Sequence, residues 1–187
     1  MTQKRIGLVL LSGGLDSTTA AAWAIASGMT VSAISFDYGQ THRCELAAAT
    51  AAAKRIRLRH NTVDVTFYRD LAAHTALTNP NRTPMPTERD TSEMADDIPS
   101  TYVPLRNTFF LTMGVAWLES AALRAIEEDN IDPRKLEATL VIAANAIDYS
   151  GYPDCHPEYY ETIAERLRLG SKIGKQYNIP FSNAPPP

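Results

Sequence analysis

The sequence has few of the residues that cross-link a chain or anchor it in a membrane. Of its 187 residues only two are cysteine, Cys44 and Cys155, and they form no Cys-X-X-Cys pair. We therefore expect two reduced thiols in a cytoplasmic protein rather than a disulfide framework. No purely apolar run reaches the length that spans a bilayer. The basic start MTQKR precedes only a short apolar stretch, which argues against a secretory signal.

An excess of positive charge is also absent. The 18 Lys and Arg residues face 21 Asp and Glu residues, so the net charge is −3. Proteins that bind nucleic acid usually present a basic field, and we therefore expect neither a nucleic acid nor a membrane as partner. The length and the 44% hydrophobic content suffice for one α/β domain with its own core.

Short apolar runs alternate with helix-forming segments along the chain. These patterns predict strands at 6–11, 30–37, 58–65 and 138–145, and helices at 17–27, 43–56, 67–77, 107–126 and 157–169. The third strand is the most polar, which places it near a sheet edge. This alternation predicts an α/β fold, a doubly wound parallel sheet with helices on both faces, as a single domain over residues 1–187.

One segment breaks the alternation. Residues 78–104 contain five of the twelve prolines, together with many Thr, Asp and Glu residues. We predict a long irregular loop there. A lid or binding loop is one interpretation, and a disordered segment is the alternative.

The stretch LSGGLDSTTAA, residues 11–21, lies between the first strand and the first helix. Two adjacent glycines allow backbone N–H groups to point into one concavity, and the helix start adds unpaired donors and a positive dipole end. The hydroxyls of Ser12, Ser17, Thr18 and Thr19 can donate further hydrogen bonds. The pattern indicates a phosphate site, and the alternative is a capping residue on a tight turn.

The loop matches neither of two common phosphate motifs. The GxxxxGK[ST] and GxGxxG patterns are both absent from it, and it has no lysine. Asp16 is unusual in such a place, because a carboxylate repels phosphate unless a cation lies between them. We therefore predict that Asp16 binds Mg²⁺.

SGGLDS, residues 12–17, resembles the pyrophosphate loop of the ATP-pyrophosphatase (PP-loop) superfamily. The resemblance implies an adenine nucleotide alpha-hydrolase-like fold, binding of ATP with Mg²⁺, and activation of a substrate oxygen by ATP. It assigns ATP binding to the whole segment, Leu11, Ser12, Gly13, Gly14, Leu15, Asp16, Ser17, Thr18, Thr19, Ala20 and Ala21.

Three further stretches narrow the resemblance. FDYGQTHRCE ends the second strand, YVPLRN joins the long loop to the apolar helix, and NAIDYSGYPDC follows the fourth strand. Taken alone, Asn107 is a good helix N-cap beside a surface Arg106. A metal site on Asp154, Cys155 and His156 is a competing interpretation, although adjacent residues seldom converge on one ion. Together, the four strings resemble the 7-cyano-7-deazaguanine synthase (QueC) family.

The family resemblance implies conversion of 7-carboxy-7-deazaguanine and ammonia to the nitrile, with ATP, by a ligase that forms a C–N bond. It suggests a homodimer. Catalysis would fall to Ser12, Asp16, Ser17 and Arg106. The deazapurine would be bound by Gln40, His42, Arg43, Arg106, Asn107, Asp148, Tyr149, Ser150, Gly151, Tyr152 and Asp154. The tyrosines would stack on the ring, and the acidic groups would accept from its N–H edge.

The sequence departs from the family pattern at its C-terminal side. The family carries Zn²⁺ on four cysteines there, and the two cysteines of this sequence do not match them. We therefore expect no zinc ligands in this chain and a fold that is C-terminally incomplete relative to the family. Two alternatives stay open. One is a catalytically idle or partner-dependent nucleotide-binding homologue, and the other is a different adenylating PP-loop enzyme such as a tRNA-modifying one.

Overall fold

The computed structural model describes residues 3–40, 44–72, 102–143 and 152–177, and the backbone alone of 181–184. Its strands are β1 (Lys4–Leu10), β2 (Thr30–Asp37), β3 (Arg59–Asp64), β4 (Leu136–Val141) and β5 (Phe181–Ala184). Its helices are α1 (Leu15–Ala26), α2 (Cys44–Arg55), α3 (Tyr68–Leu71), α4 (Arg106–Glu127), α5 (Pro157–Gly170) and α6 (Lys172–Tyr177). Two short 3₁₀ helices cover Pro133–Lys135 and Pro153–Cys155.

The five strands form one parallel sheet in the order β3-β2-β1-β4-β5. The chain winds outward from β1 to β3, returns through α4 to the other side of β1, and winds outward again to β5. This is the doubly wound topology that the sequence predicted. In such sheets the strand order reverses beside the first strand, and a crevice opens there at the carboxyl ends of the strands.

Helices cover both faces of the sheet, and alternate residues of β1 enter different cores. Leu8 packs on one face with α4, α5 and α6, in a cluster that includes Leu111, Leu118 and Ile173. Val9 packs on the other face with α1 and α2, whose contact residues are largely alanines. Both residues are fully buried, as a central parallel strand requires.

Most predicted elements are confirmed, and the polar third strand does lie at a sheet edge. The predicted helix 67–77 is wrong in extent, because α3 ends at Leu71 within the described residues. All four predicted strands are present, but β5 and α6 were not predicted. Strand β5 has only four residues, between two prolines, and α6 has only six. Segments this short do not show the spacing of apolar residues that identifies a strand or a helix.

Helix α4 bears on the expectation that no apolar run could span a bilayer. By length and composition it is long and apolar enough to do so, with a mean hydropathy of 1.3 over 18 residues. The same test is passed by core helices of soluble proteins. In this structure α4 packs on β1 and β4, and its inner face carries Leu111, Val115 and Leu118.

Candidate active site

The loop between β1 and α1 is shaped by one glycine that the fold requires. Gly13 has φ of +86°, and a Cβ on it would lie 2.5 Å from the backbone nitrogen of Ala49 and 2.7 Å from the carbonyl oxygen of Glu45. Those atoms belong to α2 and cannot rotate away. Gly13 is therefore needed for the close approach of the loop to α2.

Gly14 has no such packing reason. Its φ is −74° and its ψ 169°, and a Cβ there would meet only the Ser12 hydroxyl, at 3.5 Å. The residue is exposed and precedes α1, whose first-turn N–H groups have no acceptor within the helix. The open space and the donors leave room for a phosphate group, and phosphate binding by this loop stays a prediction.

The loop hydroxyls are engaged within the loop itself. Ser17 donates to the carbonyl oxygen of Gly14 at 3.2 Å, and its hydroxyl lies 3.0 Å from that of Ser12. Thr18 also donates to the Gly14 oxygen, at 2.8 Å. These hydroxyls brace the turn, so they contact phosphate only if those bonds rearrange. Their binding role stays a prediction.

The remaining loop residues divide by exposure. Leu15, Asp16 and Thr19 are exposed at the start of α1, where Asp16 is free to meet a cation beside a phosphate. Ala20 and Ala21 have no exposed surface and pack in the core under α1. Their only route to ATP binding is through the packing of α1, not through direct contact.

A cleft of about 340 Å³ opens where β1, β2 and β4 end. One wall is formed by the phosphate loop together with β2 and α2, through Leu11, Ser12, Ser17, Ser35, Glu45 and Leu46. The other wall comes from the end of β2 and from α4, through Phe36, Tyr38, Arg106, Asn107 and Phe110. The volume lies in the range of small-molecule sites.

Arg106 is the cation among the lining residues of the cleft that the structure describes, and it lies near Tyr38. Burial raises the pKa of the Tyr38 phenol, while the charge of Arg106 acts on it in the opposite direction. Phe110 stacks on Phe36 at 4.3 Å between ring centroids and gives the same wall an apolar aromatic surface. A planar anion would find both a cation and an aromatic face here.

Gln40 lies in the cleft, but its side chain is already occupied. Its oxygen accepts from the backbone N–H of Tyr38 at 3.0 Å, and its amide donates to the Phe36 oxygen at 3.4 Å. The residue is buried and braces the turn after β2. Its predicted contact with substrate stays a prediction, and the structure gives it a second role.

Asn107 is not the N-cap of α4, and that prediction is wrong. The capping position is Leu105, whose φ is +53°, and Asn107 is already inside the helix. The carboxylate of Asp154 accepts instead from the backbone N–H of Asn107, at 3.1 Å. A residue 47 positions away thus satisfies a free donor in the first turn of α4.

The comparisons with known proteins identify the family. The family model described as "Queuosine biosynthesis protein QueC" matches residues 6–184. The chain belongs to the QueC family. The loop at 11–17 is accordingly the PP-loop of this family.

Three relatives that share the name 7-cyano-7-deazaguanine synthase show how much of the family's length this chain spans. The proteins named 7-cyano-7-deazaguanine synthase from Thermoplasma volcanium and Thermoplasma acidophilum are 43% and 41% identical, over 89% and 92% of this chain. The chain spans only 61% and 64% of those two relatives. The protein of that name from Nostoc punctiforme is 41% identical, over 90% of this chain and 68% of its own.

A solved structure shows a distant likeness. The crystal structure of a predicted subunit of tRNA methyltransferase from Methanocaldococcus jannaschii covers 96% of this chain and 68% of its own. Its sequence identity is 15% and its TM-score 0.49.

Several site residues expected from the QueC resemblance lie outside the described part of the chain. These are His42, Arg43, Asp148, Tyr149, Ser150 and Gly151. Besides Gln40, Arg106 and Asn107, the structure describes two more of the expected residues. Tyr152 is half-buried beside Tyr102, at 6.4 Å between ring centroids, and Asp154 is buried behind Asn107. Asp154 and Cys155 both turn towards Asn107, whereas His156 is exposed, so the three do not converge.

Sequence analysis missed one polar pair, formed by His60 on β3 and by Ser35, which lines the cleft of this QueC-family chain. The Ser35 hydroxyl donates to the Leu11 oxygen at 2.5 Å and lies 2.8 Å from Nε2 of His60. Because the serine donor is used, His60 must be the donor between them. The pair ties β3 to the phosphate loop, and burial lowers the pKa of His60. No local pattern links residues 25 positions apart.

Proposed function

We propose that this chain holds the ATP and substrate sites of a cytoplasmic, ATP-dependent enzyme that converts 7-carboxy-7-deazaguanine and ammonia to 7-cyano-7-deazaguanine, in queuosine biosynthesis. The observation that carries the proposal is a single cleft with a PP-loop on one wall and Arg106 on the other. Membership of the QueC family supports the choice of reaction. The partners are small molecules, and a homodimer is part of the proposal.

The phosphates of ATP would lie at the exposed Gly14. The open space above this residue accepts a close approach, and the first-turn N–H groups of α1 have no acceptor within the helix. The residues also fit Mg²⁺, since a nucleotide-bound Mg²⁺ keeps several waters and needs only one or two protein carboxylates. Asp16 would supply one, and the ion would offset phosphate charge.

The deazapurine would lie against the α4 wall. Phe110, supported by Phe36, offers a flat apolar surface to the ring system. Arg106 would meet the substrate carboxylate, because a guanidinium matches the two oxygens of a carboxylate. The carboxylate would then face the phosphate loop across the cleft.

The chemistry requires two dehydrations. A carboxylate oxygen is a poor leaving group, and transfer of a phosphorus group from ATP makes it a good one. Ammonia then displaces it and forms the amide with loss of a proton. A second activation attaches a phosphorus group to the amide oxygen. The C–O bond then breaks, the oxygen leaves with its phosphorus group, and loss of the two remaining N–H protons gives the nitrile. Arg106 would hold the reacting oxygen in place and offset its charge during each transfer.

The test is mass spectrometry of the purified chain with Mg-ATP, ammonium and 7-carboxy-7-deazaguanine. The nitrile is the expected product, and amide alone would support the first activation but contradict the second. No product with ATP still bound would contradict the proposal in favour of an idle nucleotide-binding homologue. Arg106→Ala should abolish product. Arg134→Ala is the matched control, because Arg134 is exposed and pairs only locally with Asp132.

A further inference from the structure

The side chain of Asn107 forms hydrogen bonds on every side. Its amide nitrogen donates to the Asp154 carbonyl oxygen at 3.2 Å and to the Cys155 sulfur at 3.4 Å. Its oxygen accepts from Nε and Nη2 of Arg106, at 3.4 Å each. An asparagine side chain offers two donors and two acceptor positions, and all four are used within the protein. Asn107 therefore has no polar capacity left for a substrate.

Asp154 fixes Asn107 from behind. Its carboxylate accepts the backbone N–H of Asn107, and its carbonyl oxygen accepts the side chain of the same residue. Both residues are nearly inaccessible, with exposed fractions of 4% for Asp154 and 8% for Asn107. Both contacts of Asp154 thus hold one residue at the start of α4.

Arg106 and Asn107 both line the cleft, and Arg106 carries the positive charge among these contacts. Two of its nitrogens donate to Asn107, and the Tyr38 phenol also interacts with the guanidinium. The N–H groups not used by these two residues can meet an anion. A free arginine side chain loses rotamer freedom when it binds, and a side chain already held in place loses less. The position of the guanidinium therefore depends on the two residues behind it.

We infer that Asn107 and Asp154 are positioning residues that aim Arg106 at the carboxylate of the substrate. This inference rests on the proposed function, because it takes Arg106 as the group that meets the carboxylate. It changes the role predicted for both residues, which was direct contact with the deazapurine.

The experiment compares two ligands by isothermal titration calorimetry, with the Mg-ATP affinity of each variant as a folding control. One ligand is 7-carboxy-7-deazaguanine, and the other is the neutral 7-cyano-7-deazaguanine. Arg106→Ala should lose roughly ten- to hundredfold in affinity for the carboxylate, the range for hydrogen bonds to charged groups, and little for the nitrile. Asn107→Ala should show the same selectivity with a smaller loss.

The double variant separates positioning from contact. If Asn107 acts through Arg106, Arg106→Ala with Asn107→Ala should bind no more weakly than Arg106→Ala alone. Losses that multiply, or an equal loss for both ligands in Asn107→Ala, would overturn the inference and make Asn107 a direct ligand.

Asp154→Asn provides a second test if Arg106→Ala or Asn107→Ala fails to fold. An asparagine oxygen can still accept the N–H of Asn107, so this variant should keep the carboxylate preference of the wild type. If Asp154→Asn instead loses affinity for both deazapurines but keeps its affinity for Mg-ATP, the Asp154 charge meets the ring N–H groups and the positioning role is overturned. A wild-type chain that binds Mg-ATP but neither deazapurine would refute the proposed function itself. Carboxylate binding unaffected by Asn107→Ala would refute only the positioning role.

Discussion

Substitution of the two loop glycines by alanine should have opposite consequences. A Cβ at residue 13 would overlap the backbone of α2, with atoms at 2.5, 2.7 and 2.9 Å. Overpacking costs about 1–3 kcal/mol and a left-handed alanine roughly 1–2 kcal/mol more. For a protein of this size each kcal/mol lowers Tm by about 2–4 °C, so Gly13→Ala should lower Tm by roughly 4–20 °C.

Gly14→Ala should leave the fold almost unchanged. The backbone there suits alanine, and the nearest atom to its Cβ is 3.5 Å away. Alanine at a capping position lowers the free energy of unfolding by about 0.5–2 kcal/mol. It also restricts the unfolded chain more than glycine does, which offsets roughly 0.4–1 kcal/mol of that loss. The net effect is a destabilisation of no more than about 1.6 kcal/mol, a change in Tm of no more than roughly 6 °C.

The assay is thermal unfolding with and without Mg-ATP. ATP at a hundredfold excess over Kd stabilises the wild type by about 2.7 kcal/mol, which raises Tm by roughly 5–10 °C. Gly14→Ala should lose most of that rise, because its methyl group fills the space for phosphate. A full rise in Gly14→Ala would refute the phosphate position. A Gly13→Ala protein that melts with the wild type would refute the packing argument.

Two further predictions concern single side chains. Asp16→Ala should weaken binding of Mg-ATP much more than binding of metal-free ATP in calorimetric titrations, and equal effects would exclude a role in binding the cation. Burial lowers the pKa of His60, so the unfolded chain takes up the proton first as pH falls below about 6.5. The free energy of unfolding, measured with urea, should therefore fall more steeply between pH 7.5 and 5.5 in the wild type than in His60→Gln. Parallel profiles would show that His60 titrates normally.

The sheet was predictable from the sequence because its central strands are buried on both faces. Runs such as residues 6–11 and 138–145 stay apolar at every position, a pattern that needs no knowledge of partners. The phosphate loop was predictable for a similar reason, since its donors come from consecutive residues. The sequence did not show that the two glycines have different roles, because the backbone that crowds Gly13 belongs to α2.

The roles of side chains that meet across the fold were not predictable. Local rules made Asn107 a capping residue, yet its partners are Asp154 and Cys155, 47 and 48 positions away. Ser35 and His60 lie on neighbouring strands, so their contact can be predicted only when the register of β2 and β3 is known. Strand β5 was not predicted because four residues are too few to show the alternation of a strand.

Under the proposed function, one cleft brings together two negatively charged reactants, and the doubly wound topology offers a positive group for each. Helix α1 enters from one face of the sheet with its positive end at the phosphate loop, and α4 enters from the other face with Arg106 in its first turn. Phosphate and carboxylate repel by about 1 to 4 kcal/mol at 4 Å, depending on the local dielectric. On the proposed function, each wall would compensate one of these charges. The backbone fixes the helix dipole, whereas Arg106 is a flexible side chain. Arg106 on the α4 wall therefore needs neighbouring residues that hold it in place. That is where Asn107 and Asp154 are buried.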